Sequence, residues 1–287
     1  MNKVTVTPND WSYCRVMRIC RRGKTRKVYV ASKSRLAMMK KFLPVIQTFA
    51  MVSDVHGVQH GFTPGRSPVT NALEHRGFKF TLSMDLKDCF DHVTKRSVDE
   101  VIGYTSNFLY ESGIARQGFP TSPSLCNIAL SQLDNDLFNR IRGRGVYTRY
   151  ADDLCVSSGD ISVIEDMKDY IRLVVKDYGH EIKDSKTRIQ SSLSGRRIIT
   201  GVAVDDQIHP TRKVRRRLRA SIHQGNKNQI NGLQEWCKLK RPNAIRKAIQ
   251  FLQDQSVTTS DQAAMILASR AGAILRDQQD VDSTSLC

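Results

Sequence analysis

Three aspartates carry the chemistry that this sequence suggests. Asp85 closes the apolar run Phe80-Thr-Leu-Ser-Met-Asp85, and Asp152 and Asp153 sit in Tyr150-Ala-Asp-Asp153 between β-prone runs at 147–150 and 154–157. A strand-end Asp beside an acidic hairpin tip brings three carboxylates to one point, where they repel unless a cation neutralises them. Hard oxygen ligands suit Mg²⁺. Two such ions about 3.5–4 Å apart activate an attacking hydroxyl and stabilise the leaving oxygen in phosphoryl transfer. An Asp-Asp pair in a hairpin is also ordinary turn chemistry. What argues for more is the apolar, β-prone sequence on both sides and the second strand-borne Asp upstream. A third segment, Arg116-Gln-Gly-Phe-Pro-Thr-Ser-Pro-Ser-Leu-Cys-Asn127, lies between them. Gly118 permits close backbone approach to a ligand, and Pro120 and Pro123 stiffen the loop. A plain helix start, with Ser122 as N-cap and Pro123 at the first helical position, leaves Gln117-Gly118 unexplained.

Elements must position these groups. The expected strands are 28–30, 78–86 and 197–204, with a hairpin over 147–157. The expected helices are 35–51, kinked or restarted at Pro44, then 123–141, 162–178, 211–225 and 243–251; the stretch 276–287 is polar and expected to fray. The order strand, helix, hairpin, helix predicts an α+β fold with an antiparallel sheet and helices on one face.

Composition narrows the substrate. The 287 residues hold 45 Lys plus Arg against 28 Asp plus Glu, a net charge of +17, with 40% hydrophobic residues. That hydrophobic fraction excludes a disordered basic tail and fits one large domain or two to three subdomains. A folded protein this basic meets a polyanion, nucleic acid first. The charge gathers at 15–27 and at 212–219, where Arg212, Lys213, Arg215, Arg216, Arg217 and Arg219 fall on one expected helix. Such a run is either a solvated face or, since like charges this dense repel, a phosphate-binding one. No run of about 18 apolar residues marks a membrane span, and residues 1–11 lack a secretory pattern. Seven scattered Cys with no C-x-x-C pair argue against zinc and for reduced thiols, so a cytoplasmic protein is expected.

Taken together, Asp85 with Phe90, Gln117-Gly118-x-Pro120-x-Ser122-Pro123 and Tyr150-Ala-Asp-Asp153 resemble motifs A, B and C of reverse transcriptases, in order. The resemblance covers roughly residues 23–204. Asn71-Ala-Leu-Glu-His75, after His60-Gly-Phe-Thr-Pro-Gly-Arg-Ser67, is similar to the Asn-Ala-x-x-His pattern of retron reverse transcriptases, and Ile199-Thr200-Gly201 to their Val-Thr-Gly triplet, with Ile for Val. The plainer reading of Asn71 and His75 is a helix face turned to solvent.

The resemblance implies a right-hand polymerase fold: fingers at 1–76, palm with part of the fingers at 77–205, and a helical thumb with the polar tail at 206–287. It implies two Mg²⁺ ions on Asp85, Asp152 and Asp153. Phe90 would be the gate against a 2′-hydroxyl, or simply a core aromatic. Nucleotide contacts would fall to Gln117, Gly118 and Lys186, and to Lys24 and Arg26 on a basic hairpin that is equally well a solvated turn. Lys183 or Lys186 would protonate pyrophosphate. Asn71, His75, Thr200, Gly201 and the basic helix would meet nucleic acid, with RNA specificity at 207–243; Trp236 stacks on a base or, preferably, is core. The activity implied is RNA-templated DNA synthesis from deoxynucleoside triphosphates on the enzyme's own structured noncoding RNA. It would be primed from a guanosine 2′-hydroxyl and leave a branched RNA–DNA hybrid (msDNA). An antiphage role, a separate effector chain and a host RNase H complete the expectation, with no membrane partner. The alternatives are a group II intron-like or diversity-generating reverse transcriptase, and a catalytically silent RNA-binding protein on the same scaffold.

Overall fold

The computed structural model describes residues 14–21 and 23–240. The expected helix at 243–251 and the tail at 276–287 lie outside them. In chain order the elements are β1 (Cys14–Arg21), β2 (Lys24–Ala31), α1 (Lys33–Ser53), α2 (Pro68–Leu73), β3 (Phe80–Asp85), α3 (Cys89–His92), α4 (Lys95–Ile102), α5 (Ser122–Ala129), α6 (Ser131–Ile141), β4 (Val146–Tyr150), β5 (Asp153–Ser158), α7 (Ile161–Asp177), β6 (Arg188–Ser191), β7 (Arg197–Ile199), β8 (Val202–Val204), β9 (Ile208–Pro210), α8 (Arg212–His223) and α9 (Lys227–Cys237).

The central sheet is antiparallel, in the order β4-β5-β3-β6. Strand alternation divides its chemistry. Leu82, Met84, Leu154, Val156 and Tyr147 share one face and are buried, where α6 and α7 cover them. On α7, Ile164, Met167, Ile171, Val174 and Val175 form the inward stripe, and Asp160 caps the helix by accepting from the Ser162 backbone N–H. Each such buried side chain contributes about 1.5–3 kcal/mol relative to exposure. The other face carries Asp85, Ser83 and Thr81 opposite Asp153, Cys155 and Ser157, with Thr148 and Tyr150 alongside.

The helices are not confined to one face. Helix α2 and the three-stranded sheet β7-β8-β9 cover the far half of the second face, through a small core of Ala72, Cys155, Ile199, Val202 and Val204. Partly buried Trp236 packs against this core, as the core reading of that residue expected. Among the described residues the end bearing the aspartates stays open, with Asp152 half-buried and Asp153 exposed.

Three expectations need correction. The strand over 197–204 is a hairpin, because Thr200 and Gly201 both take left-handed φ, 45° and 82°. The helix over 123–141 is two helices, α5 and α6, meeting at Leu130, and Thr121 rather than Ser122 is the N-cap residue. Helix α1 continues through Pro44, starting from the Ser32 cap and burying Met39, Ile46 and Ala50. Proline costs a helix one backbone bond, which the packing of that face offsets. Cys89 and Cys126, far apart in sequence, meet with Sγ atoms 3.6 Å apart as thiols. Among the described residues no helix is long and apolar enough to cross a membrane.

Candidate active site

The register of β3 and β5 sets Asp85 directly opposite Asp153 at the open end of the sheet. The β4–β5 turn holds only Ala151, whose φ is 58°, and Asp152. Its geometry is fixed from three sides. The Leu86 backbone N–H donates to the Asp152 carbonyl at 2.9 Å, and the Lys183 N–H to the Asp85 carbonyl at 2.8 Å. Segment 58–61 runs beside β4, with His60 N–H donating to Arg149 O at 2.8 Å. Gly61 lies so close to the turn that a Cβ there would overlap the backbone nitrogen of Ala151.

Electrostatics at this end are unfavourable without a cation. Desolvation and then the charge of Asp85 raise the pKa of Asp152. Asp153, more open to solvent, is pushed up to about 6 by desolvation and by Asp152 and Asp85. The cation that the fold itself supplies is Lys186, whose ammonium pairs with Asp85 Oδ1. Partial burial opposes its charge, but the three carboxylates outweigh that and raise its pKa. Lys183 touches Asp85 through its backbone alone among the contacts found, so the structure brings Lys186 to the acids. The donor set fits a hard divalent cation: all oxygen, mutually repelling, open to solvent on one side. The fit is not that of a preformed cage, since among the described residues no three His, Cys, Asp or Glu side chains are gathered tightly enough for one.

Beneath the turn lies a second charged cluster, which the sequence reading missed. Arg149, fully buried, donates to both carboxylate oxygens of Asp134 at 2.8 and 2.7 Å. Its remaining nitrogen reaches Asn127 Oδ1 at 3.2 Å and the Ala151 carbonyl at 3.0 Å. Tyr147 and Gln59 donate to the same Asp134 at 2.7 and 2.9 Å. Burial alone would lower the Arg149 pKa, but Asp134 holds it up. A signal was available: Asp134 sits among Leu133, Leu137 and Ile141 on the buried stripe of α6, where an acid requires a partner.

The other expected site residues divide by location. Gln117 and Gly118 face the basic hairpin: the Tyr29 N–H donates to Gln117 O at 2.8 Å, and a Cβ on Gly118, at φ 111°, would overlap Tyr29 O. Close approach is thus to strand β2. Arg26, exposed on β2, is near enough for its charge to lower the Asp152 pKa against the larger upward effects; the side chain of Lys24 lies outside the description. Phe90 is partly buried on α3, its ring 6.1 Å from that of Phe62. The Ser122 hydroxyl is buried without a hydrogen-bond partner among the described residues.

Asn71 and His75 are fully buried, not turned to solvent. His75 bonds Ser157 and Thr148 at 2.9 and 2.7 Å, and Asn71 reaches Thr200. Direct contact with nucleic acid therefore does not match their position here; they tie α2 to the sheet. Gly201, exposed, adjoins Thr200 in the β7–β8 turn. Arg212, Lys213, Arg215, Arg216, Arg217 and Arg219 are all exposed on α8, and among the described residues none has an acidic partner.

The chain is similar to known proteins in sequence and in fold. Residues 21–216 match the family model described as reverse transcriptase (RNA-dependent DNA polymerase). The chain is 30% identical over 259 residues to the retron Mx65 reverse transcriptase of Myxococcus xanthus, covering 77% of this chain and 60% of that protein. It is 31% identical over 192 residues to the retron Ec86 reverse transcriptase of Escherichia coli, covering 61% and 59%. The chain thus spans about three fifths of these curated relatives. The fold is shared with apo telomerase of Candida tropicalis, truncated from its C-terminal domain, at TM-score 0.52 and 15% identity over 72% of this chain and 56% of that one. It is shared too with the telomerase of that organism in complex with the TWJ fragment of telomeric RNA, at TM-score 0.53 and 12% identity over 90% and 57%. The fold is the right-hand polymerase fold, and the chain belongs to the reverse transcriptase (RNA-dependent DNA polymerase) family, with retron enzymes among its relatives.

Proposed function

We propose that this chain is a retron-type polymerase that copies its own structured noncoding RNA into DNA from deoxynucleoside triphosphates. The observation that carries the reading is the facing of Asp85 and Asp153 across two strands, with Asp152 in the turn between β4 and β5. Burial and then mutual repulsion there leave the carboxylates in want of a cation. Asp85, Asp152 and Asp153 would hold two Mg²⁺ ions, whose chemistry is to activate the attacking hydroxyl and stabilise the leaving oxygen. Lys186, whose ammonium pairs with Asp85, would give a proton to departing pyrophosphate. Phe90, Gln117 and Gly118 bound the nucleotide side, with Arg26 and Lys24 on the adjoining hairpin. The exposed cations of α8 would grip phosphate.

The retron relatives and the Asn71–His75 and Ile199–Gly201 segments support priming from a guanosine 2′-hydroxyl of that RNA, giving msDNA. A cytoplasmic antiphage role with a separate effector and a host RNase H belongs to the same proposal, as does the division into fingers, palm and thumb at 76/77 and 205/206.

The test is to purify wild type and Asp152→Asn from cells carrying the native flanking DNA, and to treat the co-purifying nucleic acid with RNase and DNase separately. A short DNA linked to RNA, present with wild type and absent with Asp152→Asn, is the expected result. RNA alone in both samples would show a binding protein. Extension of a generic primed RNA without a branched product would keep the polymerase and remove the retron assignment.

A further inference from the structure

We propose that Phe62 is a positioning residue for sugar selection: its ring backs the ring of Phe90 and keeps that gate closed to a 2′-hydroxyl. The inference rests on the polymerase reading above, in which Phe90 is the gate.

The backbone at Phe62 is costly for the residue it carries. Its φ is 61°, a left-handed conformation that Gly or Asn adopts readily and a bulky side chain does not. Such strain persists only where the surroundings impose it, and it gathers at functional sites. Here the surroundings impose it from both flanks. On one side the His60 N–H donates to Arg149 O at 2.8 Å, and Gly61 lies against the backbone of Ala151. The Gly61 carbonyl accepts from Asn127 Nδ2 at 2.9 Å and from Thr63 Oγ1 at 3.3 Å. On the other side Thr63 is buried, and its carbonyl accepts from the Arg66 N–H at 3.1 Å. The ring so held gains little from the core, since Phe62 is 42% exposed.

What the ring meets gives it a role. The Phe90 ring lies 6.1 Å away, tilted by 55°, within the range of about 4.5–7 Å over which aromatic pairs attract. Phe90 itself stands on a weak support. Helix α3 has four residues, and Asp88 before it takes φ 46° and gives no side-chain cap. So short a helix is not held by its own hydrogen bonds. A rigid ring on the 60–63 loop thus stops a ring on a soft element from swinging back. Phe62 acts through Phe90, and its loss widens the sugar pocket without moving an aspartate.

The experiment uses the full chain with a DNA-primed RNA template and Mg²⁺, and compares kcat/KM for a deoxynucleotide and the matching ribonucleotide. Phe62→Gly removes the ring and suits the left-handed φ, so Tm holds. Its preference for the deoxynucleotide falls on the order of tenfold, because the ribonucleotide is admitted. Phe62→Asn, which also suits that φ, gives the same fall, whereas Phe62→Tyr keeps the ring and keeps the preference. Phe90→Ala lowers the preference by itself, and Phe62→Gly added to it lowers it no further. An unchanged preference in Phe62→Gly and Phe62→Asn overturns the proposal and leaves the polymerase reading intact. A double variant whose loss is the product of the two single losses does the same. A wild type that extends no primed RNA overturns the polymerase reading, and the gate and its backing with it.

Discussion

Two charged clusters lie within four residues of each other along β4 and its turn, and they are built in opposite ways. Around Arg149 every charge is answered: both Asp134 oxygens are bonded by the guanidinium, and Tyr147 and Gln59 add two more donors. Around Asp152 three carboxylates share one lysine, and two of their pKa values are raised. The first cluster is closed and buried. The second is open, repelling and incomplete. A satisfied buried pair fixes geometry, whereas an unsatisfied cluster at an opening binds something. The closed cluster also holds the open one, through the 3.0 Å bond from Arg149 to the Ala151 carbonyl.

The contrast can be broken from either side. The largest effect is expected in the open cluster. Asp152→Asn should cut primed-template extension by several kcal/mol of barrier, roughly 10³-fold or more, with Tm unchanged or raised because a repelling charge is gone. Kinetics and melting on the same sample check it; a fall in Tm matching the loss of rate would contradict it. In the closed cluster the signs reverse. Arg149→Met leaves Asp134 buried and unpaired, and urea unfolding should show a loss of about 3–5 kcal/mol. Arg149→Met with Asp134→Leu should recover most of that stability, since replacing both partners removes the stranded charge.

A pH series sharpens the comparison at a third site, the buried His75. Burial and then the charge of Arg197 lower its pKa to about 3, against 6.5 for the free side chain. The folded state therefore refuses a proton that the unfolded chain accepts, so stability is whole above pH 6.5 and falls as pH drops toward 3. At pH 5 the loss is about 2 kcal/mol, at 1.4 kcal/mol per unit. His75→Gln should flatten that part of the curve in denaturant titrations. The smallest effect belongs to α8, outside both clusters. Removing one cation, as in Arg216→Ala, should lower the slope of log affinity against log salt by about 0.7–0.9 for RNA or DNA if that side chain meets one phosphate, with Tm unmoved.

Much of the site was legible because its residues are local. Asp85 closes a strand, Asp153 opens one and Asp152 stands in the turn before it, and the apolar, β-prone runs on either side predict an acidic strand end beside an acidic hairpin tip before any pairing is known. Sequence leaves Lys183 and Lys186 open as proton donor, and which of them reaches the acids depends on the 3-10 turn at Asp184–Lys186, which brings the Lys186 ammonium to Asp85. The Arg149–Asp134 pair was missed because its partners are 15 residues apart on different elements. Asn71 and His75 were seen as a pattern but given the wrong surroundings, because spacing reports that two residues share a helix face and not what covers it. The hairpin at 197–204 was hidden for a related reason: Thr at a left-handed position is not a turn signal, so the run read as one strand.

The fit of Gly118 against β2 has a mechanical consequence. The Tyr29–Gln117 backbone bond and the glycine contact yoke the basic hairpin to the loop that leads into α5. Arg26 and Gln117 therefore travel together. A shift of the hairpin would draw the loop with it, so that in the function proposed above grip on a triphosphate and alignment of the loop would be one movement.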